Sequence, residues 1–147
     1  MKNRDKSLAI ILAAGKGSRL DTSIPKPLYQ FNGIPVIDHI IDSIIEVQQI
    51  DLLTVVGHMK EEIINHISSR SMYVVQEAQK GTGHALMQCL DYIKDYKKVF
   101  VFMGDAPLIN SSLIRKLQDK HIASKSSLSF LYSTFPFDLP YARLIFD

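Results

Sequence analysis

The sequence predicts a layered α/β domain with a mainly parallel sheet and helices on both of its faces. Three observations predict it: a first strand that is apolar along its whole length, a regular alternation of strand and helix patterns after it, and unusual loops that follow strands. Residues 7–13 form a continuous run rich in Ile and Leu, the pattern of a strand covered on both faces. From Pro35 onward Val36, Ile37, Ile40, Ile41, Ile44 and Ile45 recur at helical spacing, and Pro35 suits a first helical position. Residues 52–56 then read as a strand, 60–67 as a short helix and 72–75 as a strand. Residues 83–93 read as a helix with Leu86, Leu90 and Ile93 inward, 99–103 as a strand, and 111–121 as a helix burying Leu113, Ile114 and Leu117. Residues 128–134 and 141–146 read as two further strands around a segment with two prolines. Right-handed crossovers place the helices on both faces, and ligands in such sheets gather at the carboxyl ends of the strands.

At 147 residues the chain fits one domain, 1–147, and no repeat or linker divides it. A chain this long buries about two-thirds of its surface, which excludes a disulfide-stapled mini-protein and a disordered tail. With 17 Lys and Arg against 15 Asp and Glu, the net charge of +2 gives no electrostatic case for a nucleic-acid or membrane partner. The single cysteine, Cys89, cannot form an internal disulfide or a thiolate metal cluster, which fits a reducing compartment, with the cytoplasm expected. Lys2, Arg4 and Lys6 precede an apolar run and imitate a signal peptide, but Asp5 interrupts the basic region and Lys16 and Arg19 follow closely, so a buried first strand is the expected reading. No run of 18 apolar residues is present.

Three loops after strands carry the candidate chemistry. In Ala13-Ala14-Gly15-Lys16-Gly17-Ser18-Arg19 the glycines allow a phosphate to approach the backbone, and Arg19 and Lys26 supply cations for its oxygens. The loop lacks the Gly-Lys-Ser/Thr ending of a P-loop and the third glycine of a dinucleotide site, and a solvated basic turn is the alternative reading. Gln76 carries an amide that can pair with part of a nucleobase edge, or can simply be a polar strand end. Thr82 sits at a helix start, where its hydroxyl could cap an orphan N–H. His84 in the first helical turn reads as a packing or capping residue, and the five histidines show no zinc-ligand spacing. Asp105 follows a strand and precedes Pro107, where it can hold a hard cation such as Mg²⁺ or form an Asx-type turn.

Leu12-Ala13-Ala14-Gly15-Lys16-Gly17-Ser18-Arg19-Leu20, Pro25-Lys26-Pro27-Leu28 and Gly33-x-Pro35 resemble the signature of sugar-phosphate nucleotidyltransferases. Gln76 followed by Gly81-Thr82-Gly83-His84-Ala85, and Gly104-Asp105-Ala106-Pro107-Leu108, look like the uridylyltransferase domains of bifunctional bacterial enzymes that make UDP-N-acetylglucosamine. The resemblance implies a Rossmann-like layered sandwich and transfer of UMP from UTP to N-acetylglucosamine 1-phosphate or a related sugar 1-phosphate, with Mg²⁺ as cofactor. It implies that Arg19, Lys26 and Asp105 are catalytic, with Asp105 the metal ligand. Leu12, Ala13, Ala14, Gly15, Gly17, Gln76, Gly81 and Thr82 are then the nucleotide-binding residues.

The pattern departs from the family at Ser18, at Met103, where tyrosine is usual, and at Ala142, the centre of a Tyr-Gly-Arg motif. Family domains are longer, so the expectation is a domain incomplete on its C-terminal side, with no acetyltransferase β-helix domain. Two alternatives stay open: a nucleotide-binding module without turnover, and a cytidylyl or thymidylyl transferase. A final strand left at a sheet edge would invite pairing with a second copy, which makes a homodimer a hypothesis of the same reading.

Overall fold

The computed structural model describes residues 6–17, 23–134 and 136. Strand β1 (Ser7–Leu12) is buried over five of its six residues, as its unbroken apolar run requires. Two short antiparallel strands follow, β2 (Gln30–Phe31) and β3 (Ile34–Pro35), joined by Asn32 and Gly33 at φ of 52° and 78°. That Asn-Gly turn is a strong hairpin signal that the reading by apolar pattern passed over.

Helix α1 (Val36–Ile45) buries Ile37, Ile40, Ile41 and Ile44 completely. Each such side chain contributes roughly 1.5–3 kcal/mol on burial. Strand β4 (Ile50–Val56) leads to helix α2 (Lys60–Ile67). His66 of α2 donates to the Asp38 carboxylate at 2.9 Å and Arg70 donates to the same group, which ties α1 to the end of α2. Strand β5 (Met72–Val75) has the bounds expected of it.

Residues 83–93 differ from the single helix the periodicity predicts. They form α3 (Thr82–Met87) and α4 (Leu90–Ile93), with Cys89 at φ −94° and ψ 0° between them. The link is tightened by bonds of the i−3 kind, Gln88 N–H to Ala85 O and Cys89 N–H to Leu86 O. Ala85 and Cys89 both face the core, while Leu90, expected inward, is 59% exposed. Strand β6 (Lys98–Met103) and helix α5 (Ser111–Ser124) follow, the helix running three residues past its predicted end.

The main sheet has the order β5-β4-β1-β6, and every pairing in it is parallel. The side chains of β1 alternate between two cores. Ala9 and Ile11 join Ile37, Ile40, Ile41, Ile44, Ile63, Ile67, Phe102 and Ile114 on one face. Leu8 and Ile10 join Leu53, Val55, Ala85 and Cys89 on the other. Helices thus cover both faces, the arrangement expected of a layered α/β domain.

The chain divides into two compact units, Met1–Arg115 and Lys116–Asp147. Residues 128–134, predicted as a strand, have no regular structure. The alternation of Ser with Leu, Phe and Tyr there satisfies a strand pattern, but no ladder partner is recorded among the described residues, and a strand without a ladder is unstable in water. The predicted strand at 141–146, with Ala142, lies outside the described residues. Among the described residues no helix is long and apolar enough to cross a membrane.

Candidate functional site

Strands β4, β1 and β6 end nearly level with one another, Leu12 opposite Val55 on one side and Met103 on the other. The loops leaving them enclose a cleft of about 350 Å³ at the carboxyl edge of the sheet. It is lined by residues of the first loop (Leu12, Ala13, Ala14, Gly15, Gly17), by Lys26, by Gln76, Gly81 and Thr82, and by Asp105. Every sequence-predicted site residue among the described ones is therefore brought to one place; Arg19 lies outside the described residues.

Close backbone approach explains the glycine before Asp105. Gly104 N–H donates to Leu12 O at 2.9 Å, and a Cβ on Gly104 would stand 2.6 Å from that same oxygen. Only glycine lets β6 hand over Asp105 so near the end of β1. At Gly17, φ is +60° and a Cβ would meet Lys26 Cβ at 3.3 Å, so this residue both turns the loop and leaves room for the lysine stem. Lys26 opens a short 3-10 turn, Lys26–Leu28, fixed on either side by Pro25 and Pro27.

At this end of the cleft Lys26 Nζ donates to Asp105 Oδ2 at 2.5 Å, with both side chains about two-fifths exposed, 41% and 43%. Such an exposed pair is worth roughly 0.2–1 kcal/mol, so either partner exchanges readily for another charge. A hard divalent cation fits the donor set. Asp105 offers a solvent-reachable carboxylate, and one carboxylate suffices when phosphate oxygens and waters complete the shell. No group of three or more His, Cys, Asp or Glu converges among the described residues.

The opposite end is internally bonded. Gln76 is 3% exposed, and its main-chain N–H continues the ladder past β5 by donating to Val56 O at 2.8 Å. Its side-chain Nε2 donates to Gly81 O at 3.2 Å and to His84 Nδ1 at 2.9 Å. Gln79 also lines the cleft, and its Nε2 donates to Gln76 O at 3.1 Å. Sequence reasoning named the loop but missed this residue. A Cβ on Gly57 would stand 2.7 Å from Gln79 Nε2 and 2.9 Å from Ala14 Cβ, so the glycine just after β4 makes space for both.

Thr82 does not cap its helix: the cap position is Gly81, at φ +95°, and no side-chain capping bond forms. Thr82 lines the cleft. His84, half-buried in the first turn, makes no capping bond and accepts from Gln76. Behind this wall, burial pushes the Cys89 thiol up to about 11, which makes it an inert core group rather than a nucleophile.

Comparison with known proteins adds the following. Residues 9–136 match the family described as MobA-like NTP transferase domain. The chain is 35% identical over 140 residues to the bifunctional protein GlmU of Thermoanaerobacter pseudethanolicus, covering 95% of this chain and 31% of that protein. It is 38% identical over 139 residues to GlmU of Clostridium botulinum, with 93% and 30% covered. It thus spans about a third of the length of these curated relatives. Among solved structures, Rv0371c of Mycobacterium tuberculosis superposes with a TM-score of 0.68 at 20% identity, over 80% of this chain and 61% of that one. The same protein in complex with manganese gives 0.66 at 19% identity, over 80% and 60%. At that identity the likeness speaks for the fold.

Proposed function

We propose, for a chain that belongs to the MobA-like NTP transferase domain family, that the cleft binds UTP and transfers its UMP to N-acetylglucosamine 1-phosphate or a related sugar 1-phosphate. The observation that carries this reading is the polarity of the cleft. Glycines, a lysine and a carboxylate gather at one end and a buried, oriented amide at the other, the spacing of demands that a nucleoside triphosphate makes. The similarity to GlmU supports the uridylyl branch.

In the proposed reaction an oxygen of the sugar phosphate attacks the α-phosphorus of UTP in line. The new O–P bond forms as the bond to the β-phosphate oxygen breaks, and pyrophosphate leaves with that electron pair. The attacking phosphate is already an anion, so no protein base or nucleophile is needed. Gly15 and Gly17 let the triphosphate lie against the backbone, and Lys26, together with Arg19, offsets charge on it. Asp105 would hold a magnesium ion, which supplies charge neutralisation and a template for the phosphates. Lys26 leaves Asp105 for the phosphates when the substrate enters, and Gln76 with Gly81 meets the uracil. Leu12, Ala13, Ala14 and Thr82 complete the nucleotide wall.

The cytoplasm, where nucleoside triphosphates are abundant, is the proposed place of action. Nucleic acid and membrane are not among the proposed partners. Pairing of two copies across an open sheet edge belongs to the same proposal, and a monomer mass in light scattering across a wide concentration range removes it.

The test is pyrophosphate release from the 147-residue chain with Mg²⁺, UTP and N-acetylglucosamine 1-phosphate, beside CTP, dTTP and Asp105→Ala. Release that requires UTP, sugar phosphate and Asp105 is the expected result. UTP binding in calorimetry without release would make the chain a nucleotide-binding module. Preference for CTP or dTTP would move it to the cytidylyl or thymidylyl branch.

A further inference from the structure

We infer that His84, acting together with the Gly81 carbonyl, is a positioning residue that holds the sense of the Gln76 amide, so that its carbonyl oxygen, and not its amino group, faces the base and selects a pyrimidine with an N3–H donor. The inference rests on the nucleotide-binding reading of the cleft and adds to it the residue that sets base choice.

The amide of Gln76 can sit either way round on shape alone, and only its partners decide. One partner is the Gly81 carbonyl, which can only accept and lies 3.2 Å from Nε2. The second is His84 Nδ1 at 2.9 Å from the same nitrogen. Together they take both hydrogens of the amino group. Reversing the amide would set Oε1 against the Gly81 oxygen, acceptor facing acceptor, inside a residue that is 3% exposed. Oε1 has no partner among the described residues, and Gln76 lines the cleft.

This arrangement specifies His84 too. Nδ1 must keep its lone pair to accept from Gln76, so the neutral ring carries its proton on Nε2. From the next turn Gln88 Nε2 donates to the main-chain oxygen of His84 at 3.1 Å. His84 is not among the residues lining the cleft, which is why it acts through Gln76.

The edges of the two pyrimidines differ where such an oxygen would read them. Uracil presents N3–H between two carbonyl oxygens, whereas cytosine presents a bare N3 lone pair. A fixed carbonyl opposite position 3 bonds the first and repels the second. An amide free to turn over would accept both.

Binding of UTP, CTP, N3-methyl-UTP and inorganic tripolyphosphate, each with Mg²⁺, is measured by calorimetry for the native chain, His84→Leu and His84→Asn. The native chain is expected to prefer UTP over both CTP and N3-methyl-UTP. In His84→Leu the UTP-to-CTP ratio should fall about tenfold, the loss of one buried hydrogen bond's worth of orientation, with tripolyphosphate affinity unchanged. His84→Asn, whose side-chain oxygen can again accept from Gln76, should restore most of the ratio.

A native preference for UTP that His84→Leu leaves intact, or a loss shared equally by all four ligands, overturns the inference while the uridylyl reading stands. Native binding of N3-methyl-UTP as tight as that of UTP does the same, and it needs no variant to fold. A native chain indifferent between UTP and CTP overturns both.

Discussion

At the Gln76 end of the cleft one buried amide is bonded to its neighbours, whereas at the Lys26 end a single ion pair stands 41% and 43% exposed. The contrast follows from what each end must do. A base is recognised by donors and acceptors that hold one direction, and a buried amide holds its direction because leaving a partner unsatisfied costs about 1–3 kcal/mol. A polyphosphate is recognised by charge that can regroup, and an exposed pair worth a few tenths of a kcal/mol regroups at little cost. Fixed geometry and exchangeable charge are thus separated by the width of one cleft.

The strongest way to break this contrast is Asp105→Ala. On the proposed chemistry, turnover in the pyrophosphate assay should fall at least about a hundredfold, while UTP affinity measured without divalent cation changes little. Equal losses in both would mean that Asp105 shapes the cleft rather than serving exchangeable charge. Lys26→Ala should lower kcat about tenfold or more and move KM for UTP less, as expected of a cation that matters most when negative charge grows on the phosphates. Equal effects on both parameters would count against that role.

Two further measurements sharpen the comparison from the structural side. Gly104→Ala places a methyl 2.6 Å from Leu12 O, and urea unfolding should show a loss of about 1–3 kcal/mol. An unchanged midpoint would mean that the strand ends are looser than their hydrogen bond indicates. The smallest effect is expected at Cys89, behind the Gln76 end. With its thiol pushed up to about 11 by burial, it should resist a thiol reagent at pH 8 in the native chain and react only as urea unfolds the protein. Rapid native labelling would show that this end opens.

Much of the fold was readable because its signals are local. The apolar runs of β1, β4, β5 and β6 and the isoleucine stripe of α1 each announce an element without reference to the others. The first loop and the segments around Gln76 and Asp105 were readable for the same reason, since glycine and charge directly after a strand are unusual. What escaped depends on distant partners. The break between α3 and α4 lies in the i−3 bonds made by Gln88 and Cys89, which apolar spacing running on to Leu90 does not register. The alternation in 128–134 gave no warning that no ladder would be found for it among the described residues. The roles of Gln79 and His84 exist only once residues 57, 76, 81 and 84 are side by side. The Asn32-Gly33 hairpin is the exception, a local signal that a search for apolar runs does not register.

The position of β1 has a consequence for how the protein assembles. Ser7 pairs with Ile50 on one side and with Lys98 on the other, so the central strand is made first and flanked last. Parallel ladders between such distant segments must close large loops before any bond rewards them, which slows folding. In refolding, helical signal should therefore return well before nucleotide affinity. On a ribosome the glycine loop would leave the tunnel early and wait, without its facing wall, until Gly104 and Asp105 had emerged and folded back beside it.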